Sequence, residues 1–96
     1  MTYKLSFLPQ ALSEWKKLDS TIQQQFKEKL RERLENPEVP KDKLHGDLAS
    51  CYKIKLRQVG YRLVYQVNRN EVSILVITVG RRDDSKVYRM AKKRLT

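Results

Sequence analysis

Residues 51–67 read CYKIKLRQVGYRLVYQV, and their spacing decides the fold. Tyr52, Ile54 and Leu56 alternate with Lys53, Lys55 and Arg57 at period two, so one strand buries one face and arms the other with cations. After Gly60 a second run, 61–67, is again rich in aromatic and branched residues. A third, 72–79, is apolar on both faces, with Val72, Ile74 and Val76 on one and Leu75, Ile77 and Val79 on the other. The connections are short, one holding Gly60 and the next Asn68, Arg69 and Asn70, which predicts a meander of strands 51–57, 61–67 and 72–79. A strand apolar on both faces belongs in the middle of a sheet, so 72–79 is expected to be central and to pair on its other side with the short alternating segment 3–8.

Outward from that meander the period changes. Pro9 suits the first turn of a helix in which Ala11, Leu12, Trp15 and Leu18 share a side. Ser20 and Gln23 have capping-box spacing, and Ile22, Phe26, Leu30 and Leu34 follow at intervals of four until Asn36 and Pro37 stop the helix. Its remaining positions, Lys27, Glu28, Lys29, Arg31, Glu32, Arg33 and Glu35, mix both signs and read as a solvated surface. Residues 36–50, with two prolines and one glycine, form a loop. His45 lies there with no second ligand type at metal-binding spacing, so it reads as an ordinary histidine. Gly80 is expected to end the last strand, and 85–95 to form a terminal helix with Val87, Met90 and Ala91 on one side. The expected architecture is α+β: a small, mostly antiparallel four-stranded sheet with two N-terminal helices packed on one face and a short C-terminal helix. The helices are expected on one face only, in one domain spanning 1–96.

The chain carries a net charge of +10, unevenly distributed. Residues 51–96 hold 12 Lys and Arg against Glu71, Asp83 and Asp84, whereas 1–50 hold 9 against 8 acids. With 40% apolar and 33% charged residues in periodic order, this is a folding sequence and no basic disordered tail. Its longest apolar run, 74–79 with a threonine inside, falls far short of the ~20 residues of a membrane span, and no signal-peptide pattern opens it, so a soluble cytoplasmic protein with no membrane role is expected. A basic surface on ordered strands points to a polyanion, RNA or DNA first. The single cysteine, Cys51, reads as a packed residue at a strand start.

No paired carboxylates, metal cluster, Gly-rich phosphate loop or Ser/His/Asp set is legible, so neither metal nor cofactor is expected and the candidate chemistry rests on Lys, Arg and Tyr. Lys53, Lys55 and Arg62 would share a sheet face if the hairpin paired Arg57 with Arg62. A register one residue off would send Arg62 to the other face, and both remain open. If the loop after the last strand also brings Arg82 and Tyr88 over that face, a cationic pocket results, with Arg57, Arg81 and Lys86 as further RNA contacts. Such a pocket fits metal-free cleavage of RNA by a 2′-hydroxyl on the adjacent phosphate, arginines stabilising the added negative charge. The general base is the difficulty: an ordinary lysine, with pKa ≈ 10.4, is neutral in about 1 molecule in 2,500 at pH 7, a handicap of roughly 4.6 kcal/mol. Neighbouring cations reduce it by disfavouring one more charge, which makes Lys53 or Lys55 the candidate base. Arg82 would serve the leaving 5′-oxygen, Arg62 the phosphate, and Tyr88 a base of the RNA. A plain nucleic-acid-binding module with the same cations is the alternative, and Tyr52, Tyr61 and Tyr65 read as packing groups in either case.

The segments CYKIKLRQVGYRLVYQV and VITVGRRDDSKVY, with the opening strand, the ALSEWKKLDSTIQQQFKEKLRERLENP helical pair and the KLHG loop, closely resemble the RelE toxins of bacterial toxin–antitoxin systems. The resemblance implies a ribosome-dependent mRNA interferase. Such an endoribonuclease toxin enters the ribosomal A site of the 70S ribosome against 16S rRNA and cuts the codon there without a metal, leaving a 2′,3′-cyclic phosphate and a 5′-hydroxyl. By position it places the family's functional lysines at Lys53 and Lys55, its phosphate-binding arginines at Arg62 and Arg82, and its terminal tyrosine at Tyr88. It further implies an acidic RelB-like antitoxin, whose helices would displace or cover the helix bearing Tyr88, and operator DNA bound through the toxin–antitoxin complex. The alternative on the same fold is a ParE-like toxin that poisons DNA gyrase.

Overall fold

The computed structural model describes residues 2–81 and 86–95. Strand β1 (Lys4–Phe7) leads into helices α1 (Pro9–Lys16) and α2 (Ser20–Glu35). Two single 3₁₀ turns, Pro40–Asp42 and Gly46–Leu48, cross to the hairpins of β2 (Cys51–Leu56), β3 (Tyr61–Asn68) and β4 (Ser73–Arg81), and α3 (Lys86–Leu95) follows. The sheet order is β1-β4-β3-β2, with β1 parallel to β4 and the other pairs antiparallel. The doubly apolar strand is therefore central, as its pattern predicts.

The helix starts differ in detail from the sequence reading. Pro9 does stand in the first turn of α1, but Ser20 and Gln23 make no capping box. Ser20 is already helical, and its place outside the helix is taken by Asp19, whose side chain makes no capping bond. Gln23 instead turns its amide back to donate to the Trp15 carbonyl at 2.7 Å, a second donor beside the Leu18 N–H at 3.1 Å. The stripe of α2 behaves as its spacing requires: Ile22, Phe26 and Leu30 are buried and Leu34 packs against them. Leu12 is 38% exposed, however, and Arg33 is buried.

Two cores result, one on each sheet face. Under α1 and α2 lie Ala11, Phe26, Ile54, Leu63, Tyr65 and Val76 with their neighbours. On the opposite face Cys51, Val64 and Ile77 are buried beneath Val87 and Ala91 of α3. The expectation that all helices share one face is thus corrected, and the reason is apolar area. The outward-facing Val64 and Ile77 would sit in water unless an element covered them, at roughly 25 cal/mol for every Å² left exposed. Met90, expected on the packed side of α3, is an exposed residue, and Tyr88 and Leu95 pack in its stead. Strand β4 also runs on through Gly80, which pairs with Arg62 and leaves the Val87 methyl 3.8 Å from where a Cβ would stand. A bulge between Val64 and Tyr65 of β3 adds Ile77 to β4 as an extra residue.

β1 pairs with only the first half of β4, so the upper edge of β4 needs other partners. Glu14 of α1 supplies one, accepting from Val79 N at 3.3 Å and Thr78 Oγ1 at 3.1 Å. Arg94 of α3 supplies the other, donating to the Ile77 carbonyl at 2.8 Å and to both oxygens of Glu14 at 2.8 and 3.1 Å. One ion pair thus fastens α1, β4 and α3 together.

Candidate active site

The β2–β3 hairpin closes on residues 57–60, where Gly60 takes a φ of 71° and donates its N–H to the Leu56 carbonyl at 2.9 Å. This four-residue turn pairs Lys55 with Arg62 and Lys53 with Val64. The register differs by two residues from one that pairs Arg57 with Arg62, and because the strand period is two, Arg62 still falls on the lysine face. Lys53, Lys55 and Arg62 therefore share one side of the sheet, the side on which α3 packs.

From α3, Tyr88 reaches this face. Arg62 donates from Nη1 to Tyr88 Oη at 3.1 Å, and its guanidinium carbon lies 5.4 Å from the centre of the Tyr88 ring. Arg62 Nε is buried, and among the described residues nothing accepts its proton. Such an orphan donor costs about 1–3 kcal/mol, a cost that an anion drawn onto the guanidinium could relieve. Beside it, a hollow of about 220 Å³ is lined by Lys55, Arg57, Tyr61 and Arg62.

The electrostatics of this face act on Lys55. The charge of Lys53, then burial, then the charges of Arg62 and Arg57 hold the Lys55 ammonium below its ordinary pKa. The cations crowding this face thus favour the neutral amine that a general base must present.

Of the other sequence-derived candidates, Arg57 sits in the turn beside the hollow and Lys86 is an exposed residue at the start of α3. Arg81 pairs with Tyr61, which places it on the opposite sheet face, where its Nε donates to Tyr61 Oη at 3.3 Å. Arg82 lies outside the described residues. Tyr52, Tyr61 and Tyr65 are packing groups, Tyr52 and Tyr65 stacked with ring centres 5.8 Å apart. Cys51 is fully buried and its thiol is pushed up to about 11 by that burial, which leaves it inert. His45 is exposed, and among the described residues no three His, Cys, Asp or Glu side chains group as metal ligands.

One residue that sequence reasoning missed supports the site from below. Arg33 donates from Nη1 to the Lys53 carbonyl at 3.2 Å and to Tyr65 Oη at 3.0 Å, while Nη2 pairs with Asp42. Tyr65 in turn donates to the Pro37 carbonyl at 2.6 Å. β2 is an edge strand, and this network fixes its outward carbonyl at the position of a candidate catalytic lysine. In sequence Arg33 sits among charges of both signs. Its one signal is that it follows Gln25 and Lys29 at intervals of four, a stripe with no acid in it.

With the geometry in place, comparison with known proteins gives a consistent answer. A family model for the ParE toxin of type II toxin–antitoxin systems, parDE, matches residues 5–85. The mRNA interferase toxin RelE of Escherichia coli K12 is 53% identical over 95 residues, covering 99% of each chain. The structure of an E. coli RelE toxin mutant in the free state superposes with a TM-score of 0.90 at 51% identity, over 100% of both chains. The toxin in the intact E. coli RelBE toxin–antitoxin complex matches with a TM-score of 0.81 at 52% identity, over 84% of this chain and 98% of that one. The alternating cations of β2, the four-stranded sheet and the helix that brings Tyr88 to Arg62 are thus features of a chain that belongs to the RelE/ParE family of toxins from type II toxin–antitoxin systems.

Proposed function

We propose that this protein is an endoribonuclease toxin of the mRNA interferase type, inhibiting translation by cutting mRNA. The observation that supports this best is the register pairing Lys55 with Arg62, which gathers Lys53, Lys55 and Arg62 on one face under Tyr88. The Lys55 amine takes the proton of a 2′-hydroxyl, and the freed 2′-oxygen bonds to the adjacent phosphorus. The P–O5′ bond breaks, and the 5′-oxygen leaves with a proton supplied by Arg82 or by water. Arg62 and Lys53 counter the charge that builds on the phosphate oxygens, and Tyr88 orients Arg62 and stacks on a base. The products are a 2′,3′-cyclic phosphate and a 5′-hydroxyl.

The site is open and shallow, so substrate positioning is supplied from outside. The ribosome fits that need, holding an A-site codon against the toxin while 16S rRNA meets its basic surface. Action on ribosomes places the protein in the cytoplasm, consistent with the lack, among the described residues, of any helix long and apolar enough to cross a membrane. A RelB-like acidic antitoxin is the cognate partner, as in the E. coli RelBE complex, and operator DNA is met through the toxin–antitoxin pair.

The test incubates purified protein and Lys55→Met and Arg62→Met variants with a defined mRNA, either naked or programmed in 70S ribosomes, with cuts mapped by primer extension. Cuts in the A-site codon that need the ribosome, Lys55 and Arg62 are expected. Because the matching family model carries the ParE name, the same protein is also added to DNA gyrase with supercoiled plasmid. Trapped gyrase–DNA breaks without mRNA cleavage would replace this reading by gyrase poisoning.

A further inference from the structure

A groove of about 740 Å³ runs along the free edge of β2, walled by α2 on one side and by the Pro40–Asp42 turn at one end. Lys29, Lys41, Lys53, Lys55 and Arg57 line it, and the one acid lining it among the described residues, Asp42, is already paired with Arg33. The charges of α2, which look mixed in sequence, are sorted in space: the Gln25–Lys29–Arg33 stripe faces the groove, while Glu28, Glu32 and Glu35 do not line it. Lys53 and Lys55 belong to this groove and also to the lysine face bearing Arg62, so the two cationic surfaces join.

We propose that this groove is the track along which the RNA sugar–phosphate backbone leaves the candidate active site, its phosphates held by Lys29 and Lys41. The inference rests on the RNA-cleaving reading above and extends it to the path of the substrate. A strand with its scissile phosphate at Lys55 and Arg62 must pass off the sheet, and the β2 edge offers a continuous cationic exit. The lining also argues for a nucleic acid over a protein segment. Protein partners anchor apolar or aromatic side chains in buried pockets, but the apolar groups along this groove, Ile54 and Leu56, are only 1% and 6% exposed. What remains accessible is Lys, Arg and Gln, chemistry suited to phosphates and ribose hydroxyls.

The experiment measures binding of a single-stranded 2′-O-methyl RNA 16-mer, which cannot be cleaved by 2′-hydroxyl attack, by fluorescence anisotropy across a salt series. Lys29→Gln/Lys41→Gln is compared with Lys16→Gln/Lys27→Gln. All four lysines are exposed and off the lysine–arginine face, so both double variants should melt within a few degrees of the parent and carry the same net charge. Two lost phosphate contacts should lower the slope of log affinity against log salt by about 1.4, at roughly 0.7 per contact for a single strand, in the groove variant only. Equal losses in both variants, or in neither, would overturn the track. So would a groove variant that keeps its RNA affinity and loses that for poly-glutamate, the result expected of a site for an acidic protein. Wild-type protein that binds RNA through Lys29 and Lys41 but cuts no programmed mRNA would sink the cleavage reading alone, so the two failures are separable.

Discussion

Replacing Glu14 by Gln should loosen the molecule where its last helix is fastened. Glu14 accepts from Arg94 with both oxygens and from Thr78 and Val79 with one, and Arg94 is only 12% exposed in its side chain. The amide would keep one acceptor but set an N–H₂ group against the guanidinium and strand a nearly buried charge. Breaking a fully buried pair costs about 3–5 kcal/mol. Glu14 is itself 31% exposed, so water screens part of this, and the expected loss is about 2 kcal/mol. For a chain of this size each kcal/mol lowers Tm by roughly 4–8 °C, so a fall of about 8–16 °C should appear in a circular-dichroism melt. The change should be local, with amides of α3 exchanging faster than those of β3. Because α3 carries Tyr88, mRNA cleavage should fall before the sheet melts. In a double-mutant cycle with Arg94→Met, the two substitutions together should cost less than their sum by at least ~1 kcal/mol. A Glu14→Gln protein within about 0.5 kcal/mol of the parent, the range of ordinary surface substitutions, would refute the claim that this pair fastens α3.

Three further outcomes follow from other parts of the structure. Lys53 is the leading cause of the lowered Lys55 pKa, so Lys53→Met should raise it and move the ascending limb of the pH–rate profile to higher pH. An unmoved limb would remove Lys55 from the base role. Val72 holds a φ of 51°, a left-handed conformation that costs a side-chain-bearing residue roughly 1–2 kcal/mol, so Val72→Asn should raise Tm by several degrees in a thermal melt. Cys51, buried with its thiol near 11, presents about one thiolate in a thousand at pH 8, so native protein should resist iodoacetamide in a mass-spectrometric time course and unfolded protein should not. Rapid native labelling would contradict the packing of the second core.

The two periods in this chain, two over 51–79 and 3.6 over 9–35, were enough to place three strands of a meander and two preceding helices, because side-chain burial follows backbone period directly. They also indicated which strand is central, since only a strand covered on both sides can be apolar on both faces. Lys53 and Lys55 were likewise legible as candidates, cations alternating with apolar groups being a local pattern, whereas Arg62 waited on the hairpin register and Tyr88 on where the chain leads after β4. Three features were not legible, the first because spacing along a strand does not choose the turn that joins it to the next, the other two because they depend on residues far away in the chain. The hairpin register is set by the geometry of a four-residue turn, and α3 takes the second face because Val64 and Ile77 on distant strands need cover. Arg33 reads as a surface charge until folding puts Asp42, Tyr65 and the Lys53 carbonyl around it. Sequence by itself therefore determined the elements and the chemical types on each face, which are properties of neighbours along the chain. Only the tertiary structure decided which face α3 covers, which charges surround Lys55 and hold its ammonium below an ordinary lysine, and that one edge of the sheet opens as a cationic groove. Those depend on Coulomb and packing terms between residues brought together through space.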